Sequence, residues 1–200
     1  MRRFVVIGQR ALASPDFLLD DLAGTSGRLD VLLRALRAGL MVSHGLRRDT
    51  LVYLVLLGGP DAPRTLRFDG SSAKFLRPEE RSLATLVKKV LAAAGDATDF
   101  TLVRPGIAVA RAGLDAVLAD LHGATLYLLE EGAADIREAP LDLNDAAFFL
   151  GDHLGFDERA GAELARIGAV RLGLGPVSVH VEDAVTLVAN EMDRRSLAPQ

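Results

Sequence analysis

Short apolar runs that end at glycine alternate with helix-period segments along this chain, and that alternation constrains the fold more than any other feature. Arg3–Gly8 (RFVVIG) reads as a buried strand. Leu51–Leu57 (LVYLVLL) reads as a second, closed by Gly58-Gly59-Pro60, and Ala146–Leu150 (AAFFL) as a third that runs straight into Gly151. Continuous apolar runs of this length suit strands covered on both faces. Thr65–Phe68, Ile107–Arg111, Thr125–Leu129 and Ala169–Leu172 read as further strands. Between Thr25 and Met41, Leu29, Leu32, Leu33, Leu36 and Leu40 recur at helical spacing, with Thr25 or Ser26 as the cap. Pro78 opens another helix, with Glu79 and Glu80 in its first turn, Lys88 and Lys89 in its last and Gly95 as its end, charges that suit the helix dipole. Leu114–Leu121, Asp157–Ile167 and Val179–Met192 complete the helices. This order predicts an α/β fold, a largely parallel sheet with helices on both faces, in a single domain over residues 1–200.

Several classes of chemistry are excluded. A chain that is 50% hydrophobic and 25% charged is not a disordered tail. No apolar run approaches the roughly 20 residues of a membrane helix. The opening MRRFVVIGQR has too short an apolar stretch for a signal peptide, so the expected location is cytoplasmic. The absence of cysteine removes disulfides, thiolate metal sites and cysteine nucleophiles. His44, His122, His153 and His180 are scattered without metal-ligand spacing, so no metal is expected. Neither a G-x-G-x-x-G nor a G-x-x-x-x-G-K-[ST] pattern occurs, and Gly173-Leu174-Gly175 leads into Pro176, which lacks the amide a phosphate would use. No G-x-S-x-G elbow accompanies Ser43-His44.

The net charge of −4 hides an asymmetry. Residues 1–111 hold 14 Arg and 3 Lys against 11 acids, whereas residues 112–200 hold 6 Arg against 16 acids. The first is the half expected to face a polyanion. Within it, Gly27–Asp30 (GRLD), Arg34, Arg37 and Ser43–Asp49 (SHGLRRD) suggest an anion-binding surface around one carboxylate, with Asp30 on the polar side of its helix and free to face a substrate. In the second half, glycine-bearing turns follow three strands, at Leu128–Gly132, Gly151–Gly155 (GDHLG) and Leu172–Pro176 (LGLGP). Ligands of α/β sheets bind at such carboxyl ends, where glycine permits close approach, so the turns are expected together at one end of the sheet.

The ordered set GRLD, SHGLRRD, RPEER, RPGIAVAR, GDHLG and LGLGPVSVH resembles the archaeal-type tRNA pseudouridine-54 N1-methyltransferases, of the SPOUT class of knotted methyltransferases, from about Arg3 to about Arg194. The resemblance implies a C-terminal trefoil knot, a homodimer, and S-adenosyl-L-methionine held by Leu128, Gly151, Asp152, Leu172, Gly173, Leu174, Gly175, Pro176 and Ala184. It implies Asp30 as the group that deprotonates or orients the target base, and Arg28 and Arg47 as stabilisers of developing negative charge. Arg34, Arg37, His44 and Arg48 are the expected RNA contacts, and Glu182 and Asp183 place acid near the cofactor rim. Val181, Val185, Leu187, Val188 and Met192 would divide the last helix between the sheet and a twofold partner. The function implied is S-adenosylmethionine-dependent methylation of pseudouridine N1 in tRNA. A knotted RNA-binding protein without catalysis, and a methyltransferase of free nucleosides, stay open as alternatives.

Overall fold

The computed structural model describes residues 1–197. In chain order the elements are β1 (Arg2–Leu12), α1 (Leu22–Thr25), α2 (Leu29–Leu40), β2 (Met41–Val42), β3 (Gly45–Leu46), β4 (Thr50–Gly58), β5 (Arg64–Asp69) and α3 (Glu80–Ala93). They continue with β6 (Thr101–Arg104), β7 (Ile107–Ala110), α4 (Leu114–Asp120), β8 (Thr125–Leu129), β9 (Ala146–Gly151), α5 (Glu158–Arg166), β10 (Val170–Leu172) and α6 (Val181–Leu197). Eight strands form one sheet in the order β10-β8-β9-β1-β4-β5-β7-β6. The pairings from β10 to β4 are parallel, and those from β4 to β6 are antiparallel.

Strand β1 sits at the centre of the parallel part, and its alternation builds two cores. Phe4 and Val6 face α2, α3 and α6, whereas Val5 and Ile7 face α4 and α5. Each helix closes one face: Leu29, Leu32, Leu36 and Leu40 of α2 meet Val185 and Val188 of α6 over the sheet, while Val117 of α4 and Leu164 of α5 cover the other side. The predicted helices on both faces are therefore present; of the predicted strands, β1, β4, β8, β9 and β10 pair in parallel, whereas β5 and β7 lie in the antiparallel part.

Three local departures have physical causes. β6 was not expected because Thr101, Leu102 and Arg104 are exposed and leave no apolar run; Pro105-Gly106 turns it back onto β7, with Gly106 at φ +72. The Ser43-His44 segment is the tip of the β2–β3 hairpin rather than a loop continuing the face of α2. α2 starts at Leu29, not near Thr25, because Gly27 and Arg28 both take left-handed φ, +65 and +69. The N-cap is Arg28 rather than Thr25 or Ser26, although the Ser26 hydroxyl, two residues earlier, accepts the Leu29 N–H at 3.1 Å.

Beyond β10 the chain runs against the loop that follows β8. Gly173 N–H donates to Ala134 O at 2.7 Å and Ile136 N–H to Gly173 O at 2.9 Å. A Cβ at position 173 would lie 2.5 Å from Ala133 O, so the two segments touch backbone to backbone. Farther on, Arg195 of α6 donates to the carbonyls of Ile136 and Ala139, tying the last helix to the same loop.

Candidate cofactor and RNA site

The carboxyl ends of β8, β9 and β10 enclose a cavity of ≈ 650 Å³, within the size range of small-molecule sites. Its apolar lining includes Leu129, Leu150, Leu172, Leu174 and Ala184; Gly151, Gly155 and Gly175 bring backbone to its surface. Gly155 and Gly175 have positive φ (+74 and +127), and a Cβ on either would meet nothing within 4 Å, so space stands open where a side chain would be. Glu130 and Glu131 add carboxylates, and Arg28, Arg34 and Glu182 from the α2 and α6 side form the other wall.

Asp152 organises the GDHLG turn. It is buried, and its carboxylate accepts the Gln9 N–H at 2.9 Å and the Leu154 N–H at 2.8 Å. The same residue's own N–H extends the β1 ladder through Ile7 O at 2.9 Å. Gly151 lies so close to Gly155 that a Cβ would approach its backbone to 2.4 Å. The tight turn therefore requires glycine at position 151.

Opposite stands an ionic cluster. Asp30 accepts Arg28 Nε at 3.0 Å and Arg28 Nη2 at 3.1 Å on its two oxygens, and Arg34 Nη1 at 3.0 Å. Arg34 Nε in turn donates to Glu182 Oε1 at 2.8 Å. The Asp30 side chain is 6% exposed against 42% for Arg28 and 34% for Arg34, so the carboxylate is sealed behind the guanidiniums. This corrects the expectation that Asp30 is free to face a substrate: it lies in the first turn of α2, and Arg28 and Arg34 close over it. Burial alone would raise its pKa, but hydrogen bonds from Arg28 and Arg34 outweigh that and hold it below the usual 3.8. Such a carboxylate is a weak proton acceptor and a strong anchor for two cations. Arg28 is itself held at φ +69 and ψ +33, a left-handed conformation uncommon outside glycine.

The pH dependence follows. Asp30 and Asp193 both have depressed folded pKa values. For Asp193, burial again opposes, and hydrogen bonds from Arg47 and Arg2 win. Their contribution to stability is complete above the unfolded value of 3.8 and is lost as pH falls through the lower folded values. Thermal melts over about pH 2–6 should show a falling acid limb that begins near pH 4 and is shallower in Asp30→Asn.

Of the residues expected at the site, Arg28, Arg34, Gly151, Asp152, Leu172, Leu174, Gly175 and Ala184 line the cavity. Leu128 packs in the core of the opposite face and its neighbour Leu129 lines the cavity instead, a one-residue consequence of strand alternation. Gly173 is engaged by the 133–136 loop, and Pro176 is exposed beside the lining residues. Arg37 is exposed one turn beyond Arg34.

His44, Arg47 and Arg48 are not brought to the cavity. They lie past the far end of α2, whose 12 residues span about 18 Å at 1.5 Å per residue. Arg47 there pairs with Asp193 at 2.8 Å, and Arg2 bridges Asp193 at 2.8 Å and Asp49 at 3.0 Å. The expected single surface from GRLD to SHGLRRD is thus two clusters, because α2 carries its C-terminus to the amino end of β1, where Arg2 and Arg47 share Asp193, away from the carboxyl ends that line the cavity. Much of the first half's positive charge is also spent across the molecule, with Arg3 on Asp145, Arg34 on Glu182 and Arg67 on Asp120.

Sequence reasoning missed Glu130, Glu131, His153, Phe156 and the Val177–Val181 stretch as lining residues. Their signal was proximity to the glycine turns. The Ser178 hydroxyl donates to Glu131 at 2.5 Å, which ties the segment after the Leu172–Pro176 turn to the turn after β8 across the cavity rim.

Comparison with known proteins accords with this geometry. Residues 1–197 match a family model described as "Putative SAM-dependent RNA methyltransferase". The chain is 40% identical over 194 residues to a tRNA (pseudouridine(54)-N(1))-methyltransferase of Methanosarcina acetivorans, covering 97% of this chain and 92% of that one. It is 40% identical over 195 residues to the enzyme of the same name from Halobacterium salinarum, covering 96% of each. In fold it is similar to the crystal structure of Archaeoglobus fulgidus Nep1 bound to S-adenosylhomocysteine, with a TM-score of 0.66 at 16% identity over 98% of this chain and 99% of that one. With a family match across every described residue and relatives of this identity along nearly their whole length, the chain belongs to this family of S-adenosylmethionine-dependent RNA methyltransferases.

Proposed function

We propose that the protein methylates N1 of pseudouridine in tRNA, at the position its relatives' names give, 54. The observation that carries the reading is the juxtaposition, across one cavity, of glycine turns that admit a cofactor and an arginine pair fixed by a buried carboxylate. The residues fit S-adenosylmethionine. Leu129, Leu150, Leu172 and Leu174 offer an apolar bed for a flat purine, the open positions at Gly155 and Gly175 allow backbone approach, and Glu130 and Glu131 suit hydroxyl groups and positive charge. Bound there, the cofactor supplies an electrophilic methyl group.

The chain's own residues then position and polarise. Asp152 keeps the GDHLG turn closed, and the Glu131–Ser178 bond holds the rim. Arg28 stabilises negative charge that develops on the ring as the N–H proton passes to solvent water, and Asp30 orients Arg28 and Arg34 rather than taking that proton itself. Arg37, exposed one turn beyond, presents the cationic edge of α2 to phosphates, while Arg34 ties Asp30 to Glu182. Arg47 acts structurally, through Asp193.

The chain acts as one domain in the cytoplasm, threads its C-terminal segment past the 130–139 loop as a knot, and pairs as a homodimer. Exposed Val177, Val179 and Leu187, at 72%, 42% and 43%, give that pairing an apolar surface beside the cavity and on α6. No helix among the described residues is long and apolar enough to cross a membrane, and no group of three or more His, Asp or Glu side chains there could hold a metal ion.

The test is methyl transfer from labelled S-adenosylmethionine to a tRNA transcript with pseudouridine at position 54, beside the same transcript with uridine there. Label in the first alone is expected. Equal label in both would contradict pseudouridine N1 as the acceptor.

A further inference from the structure

An aromatic side chain stands outside every core in the loop between β5 and α3. Phe75 is 94% exposed and holds φ +60, a left-handed conformation costly for a bulky residue. The loop is rigidly founded on its β5 side. Asp69 accepts the Ser71 N–H at 2.8 Å and the hydroxyls of Ser71 and Ser72 at 2.7 Å each, and Ala73 N–H donates to Asp69 O at 2.8 Å. Arg48 donates to the carbonyls of Gly70 and Ser71 at 3.2 and 2.9 Å. Ala73 is buried at 4% exposure, and Leu76 packs against the main core. Phe75 is therefore held outward between two anchored residues, and at 94% exposure little contact among the described residues offsets its strain.

Its neighbours indicate what would. Lys74 and Arg77 are exposed and form no ion pair among the described residues, unlike the arginines neutralised by the acidic half. A flat apolar face between two free cations matches an unpaired nucleotide, whose base stacks while its phosphates meet the charges. The loop leads into α3, where Glu80 meets Arg34 of the cavity wall at 3.4 Å. Five residues of chain reach at most about 17 Å, so Phe75 lies within one RNA loop's breadth of that wall.

We propose that Phe75 is a stacking platform for an unpaired base of the substrate RNA, with Lys74 and Arg77 holding the flanking phosphates. The proposal rests on the RNA reading above and adds a second contact point outside the cavity. It also gives Arg48 a role in RNA binding, through the carbonyls that fix the loop.

The chain contains no tryptophan, so Phe75→Trp supplies a single fluorescent reporter. Titration with a tRNA transcript should quench that fluorescence and saturate with binding, while a fully paired RNA duplex should not. Phe75→Ala should weaken tRNA affinity by about 5- to 150-fold, the loss of one stacked base, with S-adenosylhomocysteine affinity and the salt slope unchanged. Lys74→Ala and Arg77→Ala should each lower the salt slope by about one. Unchanged tRNA affinity in Phe75→Ala, with wild type binding normally, would overturn the platform and leave the RNA reading standing. So would unquenched Phe75→Trp at saturating tRNA, or a Phe75→Ala variant altered only in its sedimentation mass. A wild-type chain that binds no tRNA would overturn the RNA reading and the platform with it.

Discussion

Asp30→Asn is expected to cut turnover on a pseudouridine-containing tRNA by roughly 10²-fold, the scale of losing one positioned electrostatic donor. The amide keeps the size of the carboxylate but removes the charge to which Arg28 and Arg34 are bound at 3.0 Å. Arg28 is then free to leave the cavity wall. The folded state should lose roughly 1–3 kcal/mol, less than for a fully buried pair, because the two guanidiniums are 42% and 34% exposed. Cofactor affinity should stay within about threefold, since the glycine turns share no hydrogen bond with Asp30. Steady-state kinetics with calorimetry on the same preparation reads both. Full activity would remove Arg28 orientation from the mechanism, and joint loss of activity and cofactor binding would make the cluster purely architectural.

Gly27→Ala should be more damaging to the fold. Gly27 has φ +65, and a Cβ there would lie 1.7 Å from the carbonyl oxygen of Arg10. Left-handed strain of about 1–2 kcal/mol and overpacking of about 1–3 kcal/mol together give about 2–5 kcal/mol. For a chain of this size that is a fall in melting temperature of roughly 5–20 °C. Gly123→Ala is the control: φ is +86 there, but nothing lies within 4 Å of the added carbon, so only the strain of about 1–2 kcal/mol applies. Equal melting temperatures would contradict the close approach between the end of β1 and the turn that presents Arg28. Because that approach also sets where α2 begins, surviving Gly27→Ala protein should have low activity.

Much of the architecture was legible in the sequence. Apolar runs long enough to be buried on both faces identified the central strands, and the leucine spacing identified α2. Glycines after β8, β9 and β10 marked the sheet edge where the cavity forms. β6 was illegible because an exposed edge strand carries no apolar signal. Leu128 and Leu129 were interchanged because a fully apolar strand does not say which of two neighbours faces the ligand. Distance along a helix explains the larger error: Arg28 and Arg47 share a charge pattern in sequence, but the length of α2 separates them. The seal over Asp30 was hidden too, since the left-handed turn at Gly27-Arg28 swings Arg28 back over the carboxylate and periodicity carries no trace of it. Phe75 went unread because exposure, not residue type, distinguishes it from a core phenylalanine.

The claim that the cavity at the ends of β8, β9 and β10 is the cofactor site is tested most directly by calorimetric titration of S-adenosylhomocysteine into wild type and Gly151→Ala. A methyl group at position 151 would press on the Gly155 backbone at 2.4 Å and open the GDHLG turn. Overpacking of about 1–3 kcal/mol corresponds to roughly 5- to 150-fold in affinity. The account predicts one saturable site per wild-type chain and a loss of that order in a Gly151→Ala protein that is still folded by circular dichroism. Equal affinity in the two proteins, or no binding to wild type, would contradict it.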